Sequence, residues 1–368
     1  MKYFHRKTME LNLNRRIKAF TLLGKEFKAV AACLEKDGEA NFERTSTRAF
    51  FKAARDAAHH NPWFTRANVT RAIAALGAML EQDKLKQWTG AYPALATVAP
   101  LPRKEVAVVM AGNIPLVGFH DFLCVLMAGH RFLGKLSSQD RKLPTALGGL
   151  LSEIEPLFSD RMSFSGDPIH GFDAVIATGS NNSARYFEHY FGQYPHIIRK
   201  NRNSVAVLDG SEQPEELRLL GEDVFSFFGL GCRNVSKLLV PEGYDLSRFE
   251  EDWSDYRAVA DHHKYYNNYE YYKAIHLVNR APFVDTGFCL LRQDPSLASP
   301  VSVIHYDKYD SVEGLDQYLK REAANIQCIV GKPTEKSPAR VPFGKSQQPG
   351  LMDYADGVDT LAFLLGLS

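Results

Sequence analysis

The chain has 368 residues, more than one typical domain holds, so two packed lobes are the first expectation. Hydrophobic residues make up 45% and charged residues 24%, as in ordinary globular proteins, and a formal net charge of +1 gives no overall attraction to nucleic acid or anionic membranes. No apolar run is long enough to span a bilayer, and the polar amino-terminal stretch lacks the apolar core of a signal peptide. These properties predict a cytoplasmic protein without a membrane span or a nucleic-acid partner.

The cysteines are widely spaced, odd in number and without a CxxC pattern. They are Cys33, Cys124, Cys232, Cys289 and Cys328. This usage is typical of reduced thiols in the cytosol rather than of a disulfide framework or a zinc site. The adjacent histidines in "DHHKYY" do not change this expectation, because two neighbours on a regular helix cannot both face one ion. We therefore predict no metal site.

Residues 1–100 are predicted to be mostly helical. The clearest helix lies in "TRANVTRAIAALGAMLEQDKL", where Val69, Ile73, Leu76 and Leu80 recur at helical spacing and form one apolar stripe. A stretch punctuated by proline and glycine follows, and it is typical of a crossover into a new unit.

From residue 101 to about residue 208, strand-like and helix-like segments alternate. The strand candidates are "EVAVVMAG" (105–112), "RFLGKL" (131–136), "DAVIAT" (173–178), "PHIIRK" (195–200) and "SVAVLD" (204–209). One intervening helix has Pro115 near its first turn and Gly129 past its end, and the next is expected to be capped by Ser137 or Ser138. Alternation at this spacing predicts a parallel, doubly wound sheet with ligands at the carboxyl ends of its strands.

Residues 209–331 are predicted to form a second α/β lobe. Its segments include the helix "EELRLLGEDVFSFF" (215–228), the strand "VSKLLVP" (235–241) and the aromatic insert "HHKYYNNYEYYKAIH" (262–276). The tail, residues 332–368, is rich in Pro, Gly and Gln before the apolar helix "TLAFLLGL" (360–367).

Three strand-to-helix junctions of the first lobe have the character of an anion site. Their polar and glycine residues are Gly112 and Asn113 in "AGNIP", Lys135, Ser137 and Ser138 in "GKLSSQD", and Gly179 and Ser180 in "ATGSNNS". At such junctions free backbone N–H groups and short polar side chains point into the crevice beyond the sheet. Three in succession at one sheet edge predict a site for a nucleotide or another polyanion, although neither a GxGxxG fingerprint nor a Walker A loop occurs.

Cys232, in "FFGLGCRNVSK", allows two interpretations from its local sequence. Four of the cysteines lie in apolar runs and are typical of small buried residues. Cys232 differs because Gly229 and Gly231 permit an irregular backbone and Arg233 would favour the thiolate electrostatically. The residue is therefore either a nucleophile held at an element junction or part of an unremarkable turn.

Four segments of the chain, taken in order, resemble the aldehyde dehydrogenase superfamily. They are "AGNIPLVG", "GKLSSQD", "ATGS" and "FFGLGCRNVSKLLV". More narrowly, they resemble the acyl-CoA reductase family, the LuxC-type long-chain fatty acyl-CoA reductases. The resemblance covers roughly residues 100–310. It implies two lobes, each with a mostly parallel twisted sheet flanked by helices, plus an amino-terminal helical segment. The implied domains are residues 1–100 packing on the cofactor lobe, 101–208 as a Rossmann-like NAD(P)-binding domain, 209–331 as the catalytic domain, and 332–368 returning to the cofactor lobe or to an oligomer interface.

The resemblance also implies roles for single residues. Cys232 matches the cysteine that takes the acyl group as a thioester, and Asn113 matches the asparagine whose amide stabilises the oxyanion. Lys135 matches the lysine at the adenosine ribose of the cofactor, and Gly179 with Ser180 matches the pair over the pyrophosphate. Gly112, Ser137 and Ser138 complete the implied cofactor set.

Three departures from the superfamily pattern refine this expectation. Arg199 stands where hydrolytic members carry a glutamate base, so water attack on a thioester is slow, which favours reduction of an activated acyl group over oxidation of an aldehyde. Ser138 falls near the place of a ribose-binding carboxylate and, with Lys135 and Arg141 nearby, it favours NADPH over NADH. Ser296 or Leu297 occupies the place of a glutamate that grips the nicotinamide ribose, so that anchor is missing.

The first hypothesis is NADPH-dependent reduction of a long-chain fatty acyl-CoA or another acyl thioester to the aldehyde through an acyl-cysteine intermediate. A second is a cysteine-dependent acyltransferase or thioesterase without a redox cofactor, with His262, His263 or His276 as the base. A third is a non-catalytic subunit that binds acyl groups or nucleotides. The expected partners are an acyl-CoA or acyl-carrier thioester, an acyl-transferring synthetase, and a second copy of the chain in a homo-oligomer.

Overall fold

The computed structural model describes residues 10–36, 41–96, 103–333 and 339–367. The described chain forms two compact units: one contains the residues up to Lys200 and those from Gly350 onward, and the other contains Asn201–Pro349. The sequence-based boundaries after residues 100, 208 and 331 divide the chain differently and stay predictions. Within the described residues, no helix has both the length and the apolar character needed to cross a membrane.

Helices and strands alternate along most of the described chain. The α-helices are α1 (Leu13–Lys36), α2 (Thr45–Arg55), α3 (Arg66–Met79), α4 (Gln82–Gly90), α5 (Phe119–Ala128), α6 (Lys142–Ile154), α7 (Asn181–Phe191), α8 (Pro214–Phe225), α9 (Phe249–Asp252), α10 (His263–Val278), α11 (Val312–Glu322) and α12 (Thr360–Leu365). The strands are β1 (Glu105–Val109), β2 (Arg131–Lys135), β3 (Met162–Ser165), β4 (Ala174–Thr178), β5 (His196–Arg199), β6 (Asn203–Val207), β7 (Val235–Pro241), β8 (Val284–Asp285), β9 (Leu290–Gln293), β10 (Val303–Tyr309) and β11 (Ile326–Val330).

The first unit is built on a five-stranded parallel sheet in the order β3-β2-β1-β4-β5. Its central strand β1 is apolar and β-branched, and its three middle residues are buried, as expected for a strand covered on both faces. Val109 pairs with Lys135 of β2 and with Ala177 of β4, so the ends of these three strands lie side by side. The parallel arrangement therefore brings three of the predicted junctions to one edge.

The amino-terminal helices share one continuous core with this sheet. Phe20 and Phe27 of α1 are fully buried, and Phe20 contacts Phe122 of α5 edge to face at a centroid distance of 6.3 Å. Helix α3 packs on α1 through Val69 and Ile73, which are both fully buried and belong to the predicted stripe. The helical segment is thus part of the first unit and not a separate body.

The end of the chain also packs into the first unit. The Trp88 indole N–H donates to the Tyr354 hydroxyl at 2.7 Å, and the Tyr92 hydroxyl donates to Asp359 at 2.7 Å. Helix α12 packs on α5, with Leu361 and Leu364 buried in the shared core. These contacts join segments about 270 residues apart in sequence without a covalent link.

The second unit contains a six-stranded sheet in the order β11-β6-β7-β10-β9-β8, parallel except for the β8–β9 pair. Helix α8 covers one face through Leu217, Leu220 and Val224, and α11 covers the other through Leu315. The predicted α/β class, with two mostly parallel sheets flanked by helices, is confirmed.

Two local predictions were wrong, and one strand was missed. The strand "SVAVLD" was expected to continue the first strand series, but β6 pairs with β7 and β11 in the second sheet. The edge strand β3 was missed because "MSFS" is short, half-polar and only partly buried. Neither Ser137 nor Ser138 caps α6, because that helix begins at Lys142 after Arg141.

Arg199, at the end of β5, makes a buried ion pair inside the first unit. Its Nη1 donates to the Asp121 carboxylate of α5 at 2.6 Å and its Nη2 donates to the Thr360 hydroxyl of α12 at 2.8 Å. Arg199 is 4% exposed and Asp121 is 7% exposed. Burial opposes the charge on the guanidinium, but the Asp121 carboxylate outweighs it, so the pKa of Arg199 is raised. One side chain therefore ties together the sheet edge, α5 and α12.

We expect Arg199→Met to destabilise the protein by about 3–5 kcal/mol, because it leaves the Asp121 carboxylate buried without its partner. The matched control is Lys200→Met, since the neighbouring Lys200–Glu188 pair at 3.0 Å has both side chains more than half exposed and contributes about 1 kcal/mol or less. Urea denaturation measures both variants. Equal losses in the two variants would contradict a structural role for the buried pair.

Candidate functional site

The carboxyl ends of β1, β2 and β4 carry the residues predicted to bind a nucleotide. The turn after β1 contains Gly112 and Asn113, and the loop after β2 begins at Lys135. Helix α7 starts after Gly179 and Ser180 at the end of β4. Because these strands are parallel neighbours in the order β2-β1-β4, their three loops meet at one edge of the first sheet.

The turn after β1 has an unusual backbone. Leu116 has a φ of +56°, and α5 begins only at Phe119, four residues after the proline expected near its first turn. A left-handed leucine costs about 1–2 kcal/mol, so surrounding contacts must hold it. Asn113, three residues before Leu116, is exposed.

Asp140 holds this turn from the neighbouring loop. Its carboxylate accepts a hydrogen bond from the Leu116 backbone N–H at 2.9 Å, and Asp140 itself is 5% exposed. The two loops also touch at Gly112, where a Cβ would lie 2.5 Å from the Ser137 hydroxyl. Asp140 lies in the segment "GKLSSQD", but its role was not predicted, because nothing in that segment indicates that its aspartate is buried.

Lys135 and Arg141 both reach the loop that follows β3. The Lys135 ammonium donates to the carbonyl of Gly166, and the Arg141 guanidinium lies 3.2 Å from where a Cβ at Gly166 would stand. Ser138 lies between these two residues in the sequence and is exposed. Asp167 follows Gly166 and brings an exposed carboxylate to the same loop, a feature that the sequence analysis missed along with β3.

Gly179 and Ser180 form the amino-terminal end of α7. The Ser180 hydroxyl caps the helix by accepting from the Ser183 N–H at 3.2 Å. A Cβ at Gly179 would lie 2.8 Å from both the Phe187 ring and the Ser183 side chain, so only glycine fits between β4 and the helix. The helix end is thus brought close to the sheet with backbone N–H groups at its first turn.

These loops fit a dinucleotide. The α7 amino terminus suits a pyrophosphate, since its N–H groups and dipole favour negative charge. Lys135, Ser137 and Ser138 suit the hydroxyl or phosphate groups of a ribose, and Gly112 leaves the crevice free of a side chain that would crowd Ser137. The seven predicted residues of this unit therefore lie in the three loops of one sheet edge.

Cys232 lies in the second unit, in the turn between α8 and β7. Three consecutive residues before it have left-handed backbones: Phe227 with φ +52°, Phe228 with +57° and Gly229 with +75°. The two phenylalanines are buried, and Cys232 is exposed. Strain of this kind persists only where contacts enforce it, and it concentrates at functional positions. Cys124 and Cys289, by contrast, are buried in cores.

Asn234 enforces the conformation of this turn. Its Oδ1 accepts from the Gly231 N–H at 2.9 Å, and its Nδ2 donates to the carbonyls of Asp223 at 3.0 Å and Ser226 at 2.8 Å. The Asn234 side chain is 2% exposed, so it supplies these buried backbone groups with hydrogen bonds that water cannot provide. The role of Asn234 was not predicted, because an asparagine in a loop is as often exposed as buried, and only its burial identifies it.

Two further contacts fix the backbone on either side of Cys232. The Ser204 hydroxyl of β6 donates to the Cys232 carbonyl at 2.9 Å. Arg233 donates through Nε to the carbonyl of Ser346, whose N–H donates to the buried Asp223 at 2.8 Å. The effect of Arg233 on the thiol stays a prediction, but its guanidinium is hydrogen-bonded to the segment around Ser346, near the end of the second unit.

The three histidines proposed as alternative bases differ in their surroundings. His262 accepts from the Tyr265 N–H through Nδ1 as the cap of α10, and its ring packs 4.6 Å from that of Phe228. His276 is buried, and burial together with the charge of Arg292 lowers its pKa. His263 is exposed at the start of α10. In the described part of the chain, no group of three or more His, Cys, Asp or Glu side chains is placed to hold a metal ion.

No protein-family model matches the sequence, and no curated protein matches it significantly. The fold resembles solved structures that include aldehyde dehydrogenases. Aldehyde dehydrogenase 21 from Physcomitrella patens, in complex with the reaction product succinate, has 14% identity and a TM-score of 0.60 over 96% of this chain and 87% of that one. An NADP-dependent enzyme from E. coli has 11% identity and a TM-score of 0.60 over 90% and 81%.

A third similar structure is a mutant of aldehyde dehydrogenase C from Pseudomonas syringae with NAD+ and octanal, at 12% identity and a TM-score of 0.52 over 88% of this chain and 78% of that one. Identities this low carry the fold alone. The predicted aldehyde dehydrogenase-like fold is therefore confirmed, and the resemblance to acyl-CoA reductases stays a prediction.

Asp140 makes stability depend on pH. Burial raises the pKa of this carboxyl from 3.8 to about 6, although the N–H groups of Leu116 and Leu143 act to lower it. Between these values the folded state holds a proton that the unfolded state has released. Stability attributable to Asp140 therefore rises as pH falls through about 6, and the gain is complete near 3.8.

We expect Asp140→Asn, which keeps an acceptor for the Leu116 N–H, to lose this response. Between about pH 7 and about pH 4, the free energy of unfolding of the wild type should rise by about 2 kcal/mol relative to the variant, measured by urea denaturation. Asp160→Asn, at a side chain that is 76% exposed, serves as the control. Parallel pH profiles for the wild type and Asp140→Asn would refute the assignment.

Proposed function

We propose that the protein is an NADPH-dependent reductase of fatty acyl thioesters, which converts a long-chain acyl-CoA or acyl-carrier thioester to the aldehyde. The observation that carries this proposal is an exposed Cys232 on a strained, hydrogen-bonded turn, in a chain whose fold is that of aldehyde dehydrogenases. The fold alone does not fix the reaction, since one fold hosts many functions. The residues of the strand-end loops in the first unit and of the Cys232 turn in the second unit support it.

Cys232 is the nucleophile of the proposed reaction. Its thiolate attacks the carbonyl carbon of the acyl thioester; a C–S bond to Cys232 forms, the C–S bond to the carrier breaks, and the carrier leaves as a thiolate. The turn suits this role because Asn234 and Ser204 fix the backbone on both sides of the cysteine while the side chain stays exposed. A preorganised nucleophile reacts faster than a mobile one.

Asn113 is the proposed oxyanion donor. Its exposed amide lies in the turn that Asp140 holds, so the position of the donor depends on a buried contact and not on chance loop geometry. Donors of this kind stabilise charge that develops only when the carbonyl carbon becomes tetrahedral. Asp140 acts through the backbone of this turn and is therefore a positioning residue.

The loops of the first unit hold the proposed cofactor. Ser180 and the start of α7 would bind the pyrophosphate, and Lys135, Ser137 and Ser138 the adenosine ribose. Arg141 favours a 2′-phosphate on that ribose, whereas the carboxylate of Asp167 favours an unmodified ribose. Because the two cations Lys135 and Arg141 face one carboxylate, the local charge favours the 2′-phosphate. When bound, NADPH supplies the hydride that reduces the acyl thioester to the aldehyde and releases the Cys232 thiolate.

Arg199 supports reduction over hydrolysis. The resemblance puts it where hydrolytic relatives have a glutamate that activates water. A guanidinium cannot take a proton from water, and this one is committed to Asp121 and Thr360. Without a base at this position the acyl-cysteine survives long enough to be reduced.

The cysteine-dependent acyltransferase or thioesterase remains the second candidate. It is favoured by the packing of the His262 ring on Phe228, four residues before Cys232, which brings an imidazole to the same turn. The Nδ1 atom of that ring accepts from the Tyr265 N–H as the cap of α10. The two candidates differ in whether NADPH is consumed.

Turnover is tested with purified full-length protein, a long-chain acyl-CoA and NADPH, by following the near-ultraviolet absorbance of NADPH and the aldehyde formed. We expect one NADPH consumed per aldehyde, no activity in Cys232→Ala, and a kcat about 10²- to 10³-fold lower in Asn113→Ala. Replacing NADPH by NADH should lower kcat/KM, because Lys135 and Arg141 then have no 2′-phosphate to bind.

The matched control is Cys33→Ala, which removes a half-buried thiol of α1 and should keep full activity. Release of free fatty acid without consumption of NADPH would favour the thioesterase instead. Full activity in Cys232→Ala would refute both enzymatic candidates.

A further inference from the structure

A second cleft lies in the first unit, at the edge opposite the nucleotide loops. It has a volume of about 490 Å³ and is lined by α1, by residues 94–96 and by the amino ends of the strands. Arg161 directly precedes β3, and Arg103 lies two residues before β1. Parallel strands put their amino ends at one edge, so these arginines are brought together by the topology of the sheet.

Arg16 enters the same cleft from α1. Its Nη1 donates to the carbonyl of Met127 at 2.5 Å near the end of α5, and the residue is 8% exposed. The Nε atoms of Arg16 and Arg161 are buried and have no hydrogen-bond acceptor in the described part of the chain. Buried guanidinium N–H groups normally find an acceptor, so these two are exceptions that call for an explanation.

The positive charge of the cleft is poorly compensated. Burial and the charge of Arg161 lower the pKa of Arg16 to about 10, and burial and the charge of Arg103 lower the pKa of Arg161. Among the described lining residues, Glu10 is the one carboxylate facing Arg16, Arg103 and Arg161. Outside the lining, Asp160 approaches Arg161 Nε only to 3.6 Å and is itself largely exposed.

His130 also lines the cleft but adds no charge. Its Nε2 donates to the carbonyl of Leu364 at 2.9 Å, and its Nδ1 accepts from the Lys104 N–H at 3.3 Å, which fixes the neutral tautomer. Burial also lowers its pKa. Three guanidinium groups against one carboxylate therefore leave a net charge of +2 in the lining.

We propose that this cleft binds the phosphate group of a phosphorylated small molecule, with Arg16, Arg103 and Arg161 as its ligands and Leu95, Leu126 and Phe158 as an apolar wall for the organic part. A phosphomonoester carries close to two negative charges at neutral pH and so matches the lining, whereas a carboxylate carries one. Guanidinium groups suit phosphate because their N–H groups form paired hydrogen bonds to its oxygens.

This site is distinct from the proposed cofactor site. The nucleotide loops follow the carboxyl ends of β1, β2 and β4, while Arg103 and Arg161 precede the amino ends of β1 and β3. A ligand in the cleft would contact α1 and the start of the sheet and would not touch Lys135 or Ser180. Binding at this cleft can therefore be tested independently of the proposed reaction.

The test uses the full-length protein and three probes at constant ionic strength: phenyl phosphate, inorganic phosphate and benzoate. Binding is measured by titration calorimetry and by the shift in Tm. We expect phenyl phosphate to bind most tightly and to raise Tm with its concentration, because a ligand that binds only the folded state stabilises it. Inorganic phosphate should bind more weakly, since it lacks an apolar part, and benzoate more weakly again, since it carries one charge.

Arg103→Gln, at an exposed position that leaves the core intact, should raise the Kd for phenyl phosphate about tenfold, and Arg161→Gln should do the same. The matched control is Arg55→Gln, which removes an exposed arginine from the end of α2 that pairs with Asp56 at 3.3 Å and does not line the cleft. An unchanged Kd in Arg103→Gln, or equal affinity for benzoate and phenyl phosphate, would overturn the proposal. So would the absence of heat and of a Tm shift with the wild type at about 10 mM phenyl phosphate.

Discussion

The first unit depends on one buried ion pair, between Arg199 at the end of β5 and Asp121 in the first turn of α5. A buried charge is tolerated only beside its partner, so the sheet edge and the helix that follows the Asn113 turn are fixed relative to each other. Thr360 joins the pair and brings α12 to the same place. A carboxylate at position 199 would lie beside that of Asp121 in a buried site, so the position disfavours an acidic residue.

Much of the fold could be predicted from the sequence because its signals are local. The continuous apolar run of β1 and the alternation of strands and helices were enough for a parallel sheet with polar loops at one edge. Seven predicted residues, from Gly112 to Ser180, follow three adjacent strands as expected. The pairing of one strand could not be predicted. The sequence of β6 resembles those of the strands in the first sheet, and only its pairing with β7 and β11 assigns it to the second sheet.

The residues that hold the candidate sites could not be predicted, because their roles arise from burial. Asp140 and Asn234 are polar residues in loops, indistinguishable in sequence from exposed ones, yet each is buried and supports a strained turn. Leu116 and Phe227 adopt left-handed backbones that no local preference favours. In both units the side chain proposed to react or to bind is exposed, and a buried polar neighbour fixes its backbone. This shared construction is the physical reason to regard both turns as functional.

The central claim is that Cys232 carries an acyl group that awaits reduction. Intact-mass analysis after incubation with a long-chain acyl-CoA tests it directly, with Cys232→Ser as the control. The claim predicts one acyl adduct on the peptide that contains Cys232, stable without a cofactor and lost with formation of aldehyde when NADPH is added. An adduct that decays to free fatty acid at the same rate with and without NADPH, or one that forms equally in Cys232→Ser, would contradict it.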